Sequence, residues 1–561
     1  MLTRRDFMQV TAATAAMMGP GANIARAASA QNITQDDLLE FDSVGQVTLL
    51  NFTDIHAQLM PLYFREPSVN MGVGEVYGLP PHLTGKDFLN HFQLKAGTQD
   101  AYAFSSDDFS NLAGQYGRIG GLAHMATLIK AIRAERNDST ILVDCGDTWQ
   151  GSYTSLATKG EDMVDAMNAL GVDVMVPHWE FTYGTDRVAE LIEKLNFPFL
   201  AGNVVDTEWE EKVYDSIAYF ERNGVKVAIV GQAFPYTPVA NPRYMIPELS
   251  FGIREDMVQD NVNQARAEGA DIVVLASHDG FDVDRKLASR VEGIDVILTG
   301  HTHDAIPGVI KVKDTLLIAT GSHGKFLGRL DLDVENGRIK DYRYKLMPVF
   351  SDAITPDPEI AAVVDKIRAP HQSVISEVLG KSDSLLYRRG NFNGTFDDLI
   401  CDAIMEERDT QIALSPGFRW GASVLPGQDI TVDDVYTQTS ITYPNVYRSE
   451  MTGQLMHEIL EDVADNLFNK DPYYQQGGDM VRVGGMGYRI DIQKDMGKRI
   501  SDMTLLSTGE TIDPSKKYVV GGWASVNEGT EGPPIYDLVS DYIRKKKVVN
   551  VQPNQNIKVV G

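Results

Sequence analysis

Apolar runs of four to seven residues recur through the first half of the chain, and each stops at a polar cluster. Residues 46–52 run into Thr53-Asp54-Ile55-His56, and residues 139–145 run into Gly146-Asp147-Thr148-Trp149. Residues 173–176 precede Pro177-His178-Trp179-Glu180, residues 270–276 precede Ser277-His278-Asp279, and Val296-Ile297-Leu298 precedes Thr299-Gly300-His301-Thr302-His303. Short continuous apolar runs predict strands buried on both faces. Helical spacing predicts amphipathic helices over 121–136, 160–170 and 185–195, with further strands over 197–203 and 226–232. A hairpin is expected where residues 330–334 and 339–346 flank Asn336-Gly337, since Asn-Gly accepts the positive φ of a tight turn.

Beyond that hairpin the pattern changes. Pro356, Pro358 and Pro370 bracket a helical stretch at 360–367, which predicts a linker over 351–374. A second domain follows over 375–561, with helices at 395–407 and 453–468 and a turn at Ser507-Thr508-Gly509-Glu510. Thr395 and Asp398 are spaced as a capping box for the first of these helices. The catalytic domain is expected over 41–350. Its insertion at 61–115, rich in Gly, Pro, Asn and aromatics, reads as a functional or disordered loop at the mouth of the site. A chain of 561 residues exceeds what one core supports. The fold class is therefore α/β (α+β overall) in two domains.

A net charge of −27 excludes nucleic acid as a partner, because phosphate contact needs a basic face. Thr3-Arg4-Arg5-Asp6-Phe7-Met8, a mild apolar stretch and Ala25-Arg26-Ala27 follow one another as in a twin-arginine signal peptide. Residues 1–27 are thus expected to be removed on export to the periplasm. No later stretch approaches the roughly 20 apolar residues of a membrane span. Cys145 and Cys401 fall in a predicted buried strand and a predicted helix, neither in the setting of a nucleophile.

Ligands of parallel sheets collect at the carboxyl ends of the strands. The five strand ends would therefore bring together Asp54, His56, Asp147, His178, His278, His301 and His303. Two divalent cations need terminal imidazoles, a bridging carboxylate and an open position where they acidify water into a nucleophile. Asp147, between glycine-permitted turns and without a basic neighbour, is the natural bridge. Of the 11 histidines, His82, His91, His124, His371 and His457 read as ordinary surface or core residues, and His323 as the one able to stand behind the ligands. Five imidazoles and two carboxylates suit zinc, iron, cobalt or manganese alike.

The order of these motifs (DxH, GDxxxG, a strand-end ligand, a single His, GHTH) resembles the calcineurin-like metallophosphoesterases and, more closely, their two-domain 5′-nucleotidase group. The resemblance implies a four-layer αββα sandwich followed by a 5′-nucleotidase-like α/β domain. It also implies Asp54, His56 and His303 on one metal, His178, His278 and His301 on the other, and Asp147 between them. One run departs from the nucleotidase pattern Asn-His-Glu-Phe: here His178 replaces the ligand asparagine and Trp179 the transition-state histidine. His178-Trp179-Glu180-Phe181-Thr182-Tyr183-Gly184 is similar to the SoxB thiosulfohydrolases of periplasmic sulfur oxidation. That likeness implies release of sulfate from a cysteine-S-thiosulfonate on a SoxYZ-like carrier protein by a metal-bridging hydroxide, with manganese as the metal. Arg419, in Ser415-Pro416-Gly417-Phe418-Arg419, aligns with the family's anion-binding arginine, and its planar fork suits a sulfonate. Arg448, Arg482 and Arg489 are further candidates. Val526 falls where nucleotidases place a base-stacking phenylalanine. The alternatives are a periplasmic 5′-nucleotidase or cyclic-nucleotide phosphodiesterase, and a metal-storing protein without catalysis.

Overall fold

Along the strand Val47–Phe52 successive side chains enter two different apolar layers. Val47 and Leu49 pack with Val274, Val296 and Leu298, whereas Leu50 and Phe52 pack with the helical residues Leu128 and Ile129. The same alternation holds at Ile272–Ser277, where Val274 and Ala276 face one layer and Val273 and Leu275 the other. A strand apolar on both faces fits only between two covering layers. That requirement builds the sandwich in this computed structural model, which describes residues 33–392 and 394–560. The twin-arginine segment and its cleavage site lie outside the described residues.

Two sheets form the sandwich. The first has the order Arg338–Pro348, Phe326–Glu335, Val47–Phe52, Thr140–Asp144, Val174–Met175. The second runs Ile310–Val312, Thr315–Ala319, Val296–Thr299, Ile272–Ser277, Val225–Gln232, Ile217–Arg222. The four central strands of the site, together with Val174–Met175, run parallel to their neighbours in this set, as Leu50 opposite Leu142 and Leu275 opposite Ile297 illustrate. Helices Leu122–Arg136 and Glu161–Leu170 contribute to the apolar layer outside the first sheet, and Glu255–Ala267 and Phe281–Arg290 to that outside the second. The result is the four-layer αββα arrangement. Each buried aliphatic side chain contributes roughly 1.5–3 kcal/mol relative to exposure, so the layers themselves fix where the strand ends lie.

The second domain holds three small sheets, the central one ordered Tyr447–Thr452, Lys517–Gly522, Ile412–Gly417, Asp479–Gly484. Helices Thr395–Arg408 and Gly453–Phe468 flank it. The joining segment carries the helix Pro358–Arg368, whose Asp357 caps it by accepting the Ile360 N–H. The hairpin turns at Asn336 and Gly337 with φ of 54° and 70°. Both cysteines are buried and free. Among the described residues, no helix is long and apolar enough to cross a membrane.

Three expectations need correction. The insertion is not a loop: it carries the helices Gly85–His91, Gln99–Phe104 and Phe109–Tyr116, and buries Phe88, Tyr102, Phe104 and Leu112. Residues 197–203 make no ladder, because Phe199 bridges to Met175 in one sheet while Leu200 bridges to Asp215, beside the other. Thr395 does not cap its helix. Its hydroxyl donates to the Leu385 carbonyl at 2.6 Å, and Gly394 takes the cap position.

Candidate metal centre

The turns that follow the central strands are held in conformations most side chains avoid. Asp54, His56, Asp147, His301, His303 and His323 all have φ between 50° and 73°. Non-glycine residues at positive φ are uncommon, and clusters of them mark sites where packing overrides local preference. Gly146 and Gly300 make this packing possible. A Cβ on Gly146 would lie 2.8 Å from His278 Nδ1, and one on Gly300 would lie 2.5 Å from Thr53 Oγ1. Asp144 shapes the middle turn: its carboxylate accepts the Gly146 N–H at 3.0 Å and the Thr148 hydroxyl at 2.7 Å.

These turns bring all seven predicted side chains together. Asp147, His178, His278 and His301 form one group able to hold a metal ion, and Asp54, His56, Asp147 and His303 form another. Asp147 belongs to both. Its Oδ2 lies 3.1 Å from His178 Nδ1, 3.1 Å from His278 Nε2 and 3.7 Å from His56 Nε2. In the second group, Asp54 Oδ1 is 3.1 Å from His303 Nε2, and the Nε2 atoms of His56 and His303 are 3.1 Å apart. Two imidazole nitrogens so close can share only one proton. Asp54 Oδ1, His56 Nδ1, His178 Nε2 and His303 Nδ1 are buried without a hydrogen-bond partner. Carboxylate and imidazole donors in this crowding fit divalent first-row cations.

The electrostatics point the same way. Burial would raise the Asp147 carboxyl, but His178 and His278 beside it hold it well below the usual range. Burial drives His178 down to about 4 and His301 and His303 well below the ordinary value, so these rings are neutral and their lone pairs are available. His278 differs. Burial would lower it, yet Asp147 and Asp54 on either side raise it to about 10, because that place in the cluster favours positive charge.

Glu180 was the residue sequence reasoning passed over. Its Oε1 accepts the N–H groups of Thr148 (2.7 Å) and Trp149 (3.1 Å), and its Oε2 accepts that of His178 (2.7 Å). One buried carboxylate thus ties the turn carrying Asp147 to the turn carrying His178. The sequence signals were its place two residues after a ligand and its retention, with Phe181, of the Glu-Phe half of the nucleotidase run. His323 is buried behind the ligands: its ring centroid is 5.4 Å from that of His56, and its Nε2 accepts the Gly421 N–H at 3.0 Å.

The cluster opens on a cavity of about 210 Å³ between the domains. Trp179, Phe234, Phe418 and Trp420 form its aromatic wall, and Arg419 lines it as well. Trp179 meets Phe418 and Trp420 edge-on at 5.6 and 5.2 Å, and those two rings stack on each other at 4.1 Å. Arg419 Nε lies 3.7 Å from Asp479, and its Nη1 is buried without a partner. The other arginines do not line the cavity. Arg482 is buried in ion pairs with Asp397 and Asp479, Arg448 donates to the carbonyls of Arg408 and Asp409, and Arg489 is exposed on the strand Met486–Asp491. Val526 is exposed, outside the cavity lining.

Comparison with known proteins places the chain. Residues 378–541 match the family model for the 5′-nucleotidase C-terminal domain. A 5′-nucleotidase of Bos taurus is 24% identical, over 82% of this chain and 85% of its own. The structure of a Thermus thermophilus sulfate thiohydrolase, SoxB, in complex with glycerol superposes with a TM-score of 0.90 and 36% identity, covering 93% of this chain and 98% of that one. A 5′-nucleotidase precursor from Thermus thermophilus shares the fold at a TM-score of 0.72 and 21% identity, over 92% of this chain and 99% of that one.

Proposed function

The chain belongs to the SoxB family, within the 5′-nucleotidase group of metallophosphoesterases, and from that premise we propose that it is a sulfohydrolase releasing sulfate from a thiosulfonated cysteine on a carrier protein. The observation that carries the reading is the aromatic wall. Phe418 and Trp420 are closed on each other, Trp179 stands edge-on to both, and Val526 offers no ring. A nucleobase finds no pair of open faces, whereas a slender peptide arm ending in a sulfonate needs none.

Two divalent cations, manganese on the family likeness, would be held by Asp54, His56, Asp147 and His303 and by Asp147, His178, His278 and His301, and would acidify water and neutralise charge on the sulfonate oxygens. The chain's own residues supply the rest. The Trp179 N–H donates to Asp147 Oδ1 at 2.8 Å, which leaves Oδ2 to the imidazoles. Arg419, which lines the cavity, would offer its guanidinium to a sulfonate oxygen through a charge-assisted hydrogen bond. The aromatic wall excludes bulk water. In the overall step an S–O bond forms between water and the sulfonate sulfur, and the bond from that sulfur to the sulfane sulfur breaks. The electron pair leaves with the sulfane sulfur as a persulfide, and sulfate is released with the protons of water. A carrier arm of the SoxYZ type would enter between the domains, in the periplasm, after export by the twin-arginine route.

Hydrolysis of a thiosulfonated cysteine peptide in ¹⁸O-water tests the bond assignment. Sulfate carrying one ¹⁸O, with persulfide left on the peptide, is expected. Release of unlabelled thiosulfate would place the attack on the cysteine sulfur and release of sulfite would place it on the sulfane sulfur, and either would overturn the mechanism.

A further inference from the structure

His301 reaches the metal cluster from the catalytic domain, but its far ring nitrogen rests on the second domain. His301 Nε2 lies 3.0 Å from the main-chain carbonyl of Gln476. The next residue, Gly477, sits at φ of 70°, and a Cβ there would lie 2.3 Å from the same Nε2. The turn thus touches the ring twice, once through a carbonyl and once through the space glycine leaves. Arg389, also in the second domain, donates from Nη2 to the Thr302 carbonyl at 2.8 Å, between the two histidines of the GHTH loop. Its other Nη is held at 3.0 Å by Glu66.

We infer that the Gln476-Gly477 turn is a positioning element of the metal centre, so that the second domain completes one metal site as well as covering the substrate. A carbonyl oxygen can only accept, so the ring nitrogen facing it must be the one that carries the proton. The contact therefore holds the ring proton on Nε2 and leaves the Nδ1 lone pair for an ion. Outer partners of this kind fix the tautomer and orientation of metal-bound histidines, and their loss typically weakens metal binding by about 10–100-fold. Closure of the two domains and occupancy of the site containing His301 are consequently linked, each favouring the other. The inference rests on the metal-centre part of the proposed function and is independent of the substrate.

Gly478 supplies a matched control. Its φ is 77°, but a Cβ there meets nothing nearer than 3.5 Å. Gly477→Ala and Gly478→Ala therefore carry similar backbone strain, and only the first touches His301. Manganese binding to metal-stripped full-length protein is measured by titration calorimetry and electron paramagnetic resonance. Gly477→Ala is expected to bind one of two ions at least about 10-fold more weakly than Gly478→Ala, with an altered manganese spectrum. Equal binding by the two variants would overturn the inference. Failure of the wild-type protein to bind manganese at all would overturn it together with the metal-centre reading. Should Gly477→Ala not fold, the zinc-loaded wild-type protein labelled with ¹⁵N-histidine decides: a ring proton at Nε2 of His301 supports the inference, and one at Nδ1 contradicts it.

Discussion

The indole of Trp179 stands edge-on to both Phe418 and Trp420, while its main-chain N–H is committed to Asp147. In the nucleotidase pattern this position carries a histidine that stabilises charge as a basic alkoxide leaves. A persulfide is a much weaker base and departs without a proton donor. Since general acid catalysis contributes typically about 10²–10⁴-fold, tryptophan here forfeits a large factor for a phosphate ester and little for a thiosulfonate. Trp179→His is expected to keep the metals, because the N–H contact to Asp147 is main-chain. It should lower sulfate release and raise hydrolysis of phosphate esters by about 10-fold or more. Steady-state kinetics on both substrates, with metal content measured on the same sample, checks this. An unchanged ester rate would remove the leaving-group argument.

At the scale of elements, the strand ends of the two sheets present the ligands and the loops of the second domain close over them. Asp479, at the start of the strand Asp479–Gly484, is central to the closing side. It pairs with Arg482 at 3.0 Å and faces Arg419 at 3.7 Å. Burial would raise its carboxyl, but Arg482, Arg419 and Arg389 together hold it below the ordinary value of 3.8. A depressed folded-state pKa contributes stability that is present above the unfolded value and is lost as pH falls through the folded one. Asp479→Asn should therefore cost about 3–5 kcal/mol near neutral pH, as expected when one partner of a buried ion pair is removed. The gap between variant and wild type should narrow as pH drops below about 4. Urea unfolding of both proteins across that range measures it. A gap that stayed constant down to pH 2 would show that the ionised carboxylate contributes nothing.

Across the whole molecule, what the sequence made legible was whatever the chain writes locally. Apolar runs ending at Asp54, Asp147, His178, His278 and His301 announced both the strands and the ligands, because a parallel sheet puts its chemistry where its strands stop. The helix Gly453–Phe468 was as plain, and the structure adds that Thr452 caps it. Main-chain contacts were not legible. Nothing in the letters around Glu180 says that it binds three N–H groups, or that the Gln476 carbonyl reaches His301 from another domain. The capping box at Thr395 failed for a related reason: Thr395 is already the first helical residue, with Gly394 at the cap, and its hydroxyl serves the Leu385 carbonyl and the Tyr387 N–H instead. The helices of the insertion were hidden by their brevity, and burial of side chains such as Phe88, Tyr102, Phe104 and Leu112 stabilises them.

The insertion is tied to the second domain, whose residues Phe418, Arg419 and Trp420 line the site. Tyr63 bridges to Ser423, and Arg65 lies over the ring of Tyr387 at 4.2 Å. The most direct test is to compare kcat/KM for sulfate release from a thiosulfonated cysteine peptide with that for phosphate release from AMP, on one manganese-loaded preparation. The account predicts that the peptide is preferred by at least about 100-fold, the low end of what an absent general acid costs an ester. Efficient hydrolysis of AMP with no sulfate released from the peptide would contradict it and make the chain a nucleotidase.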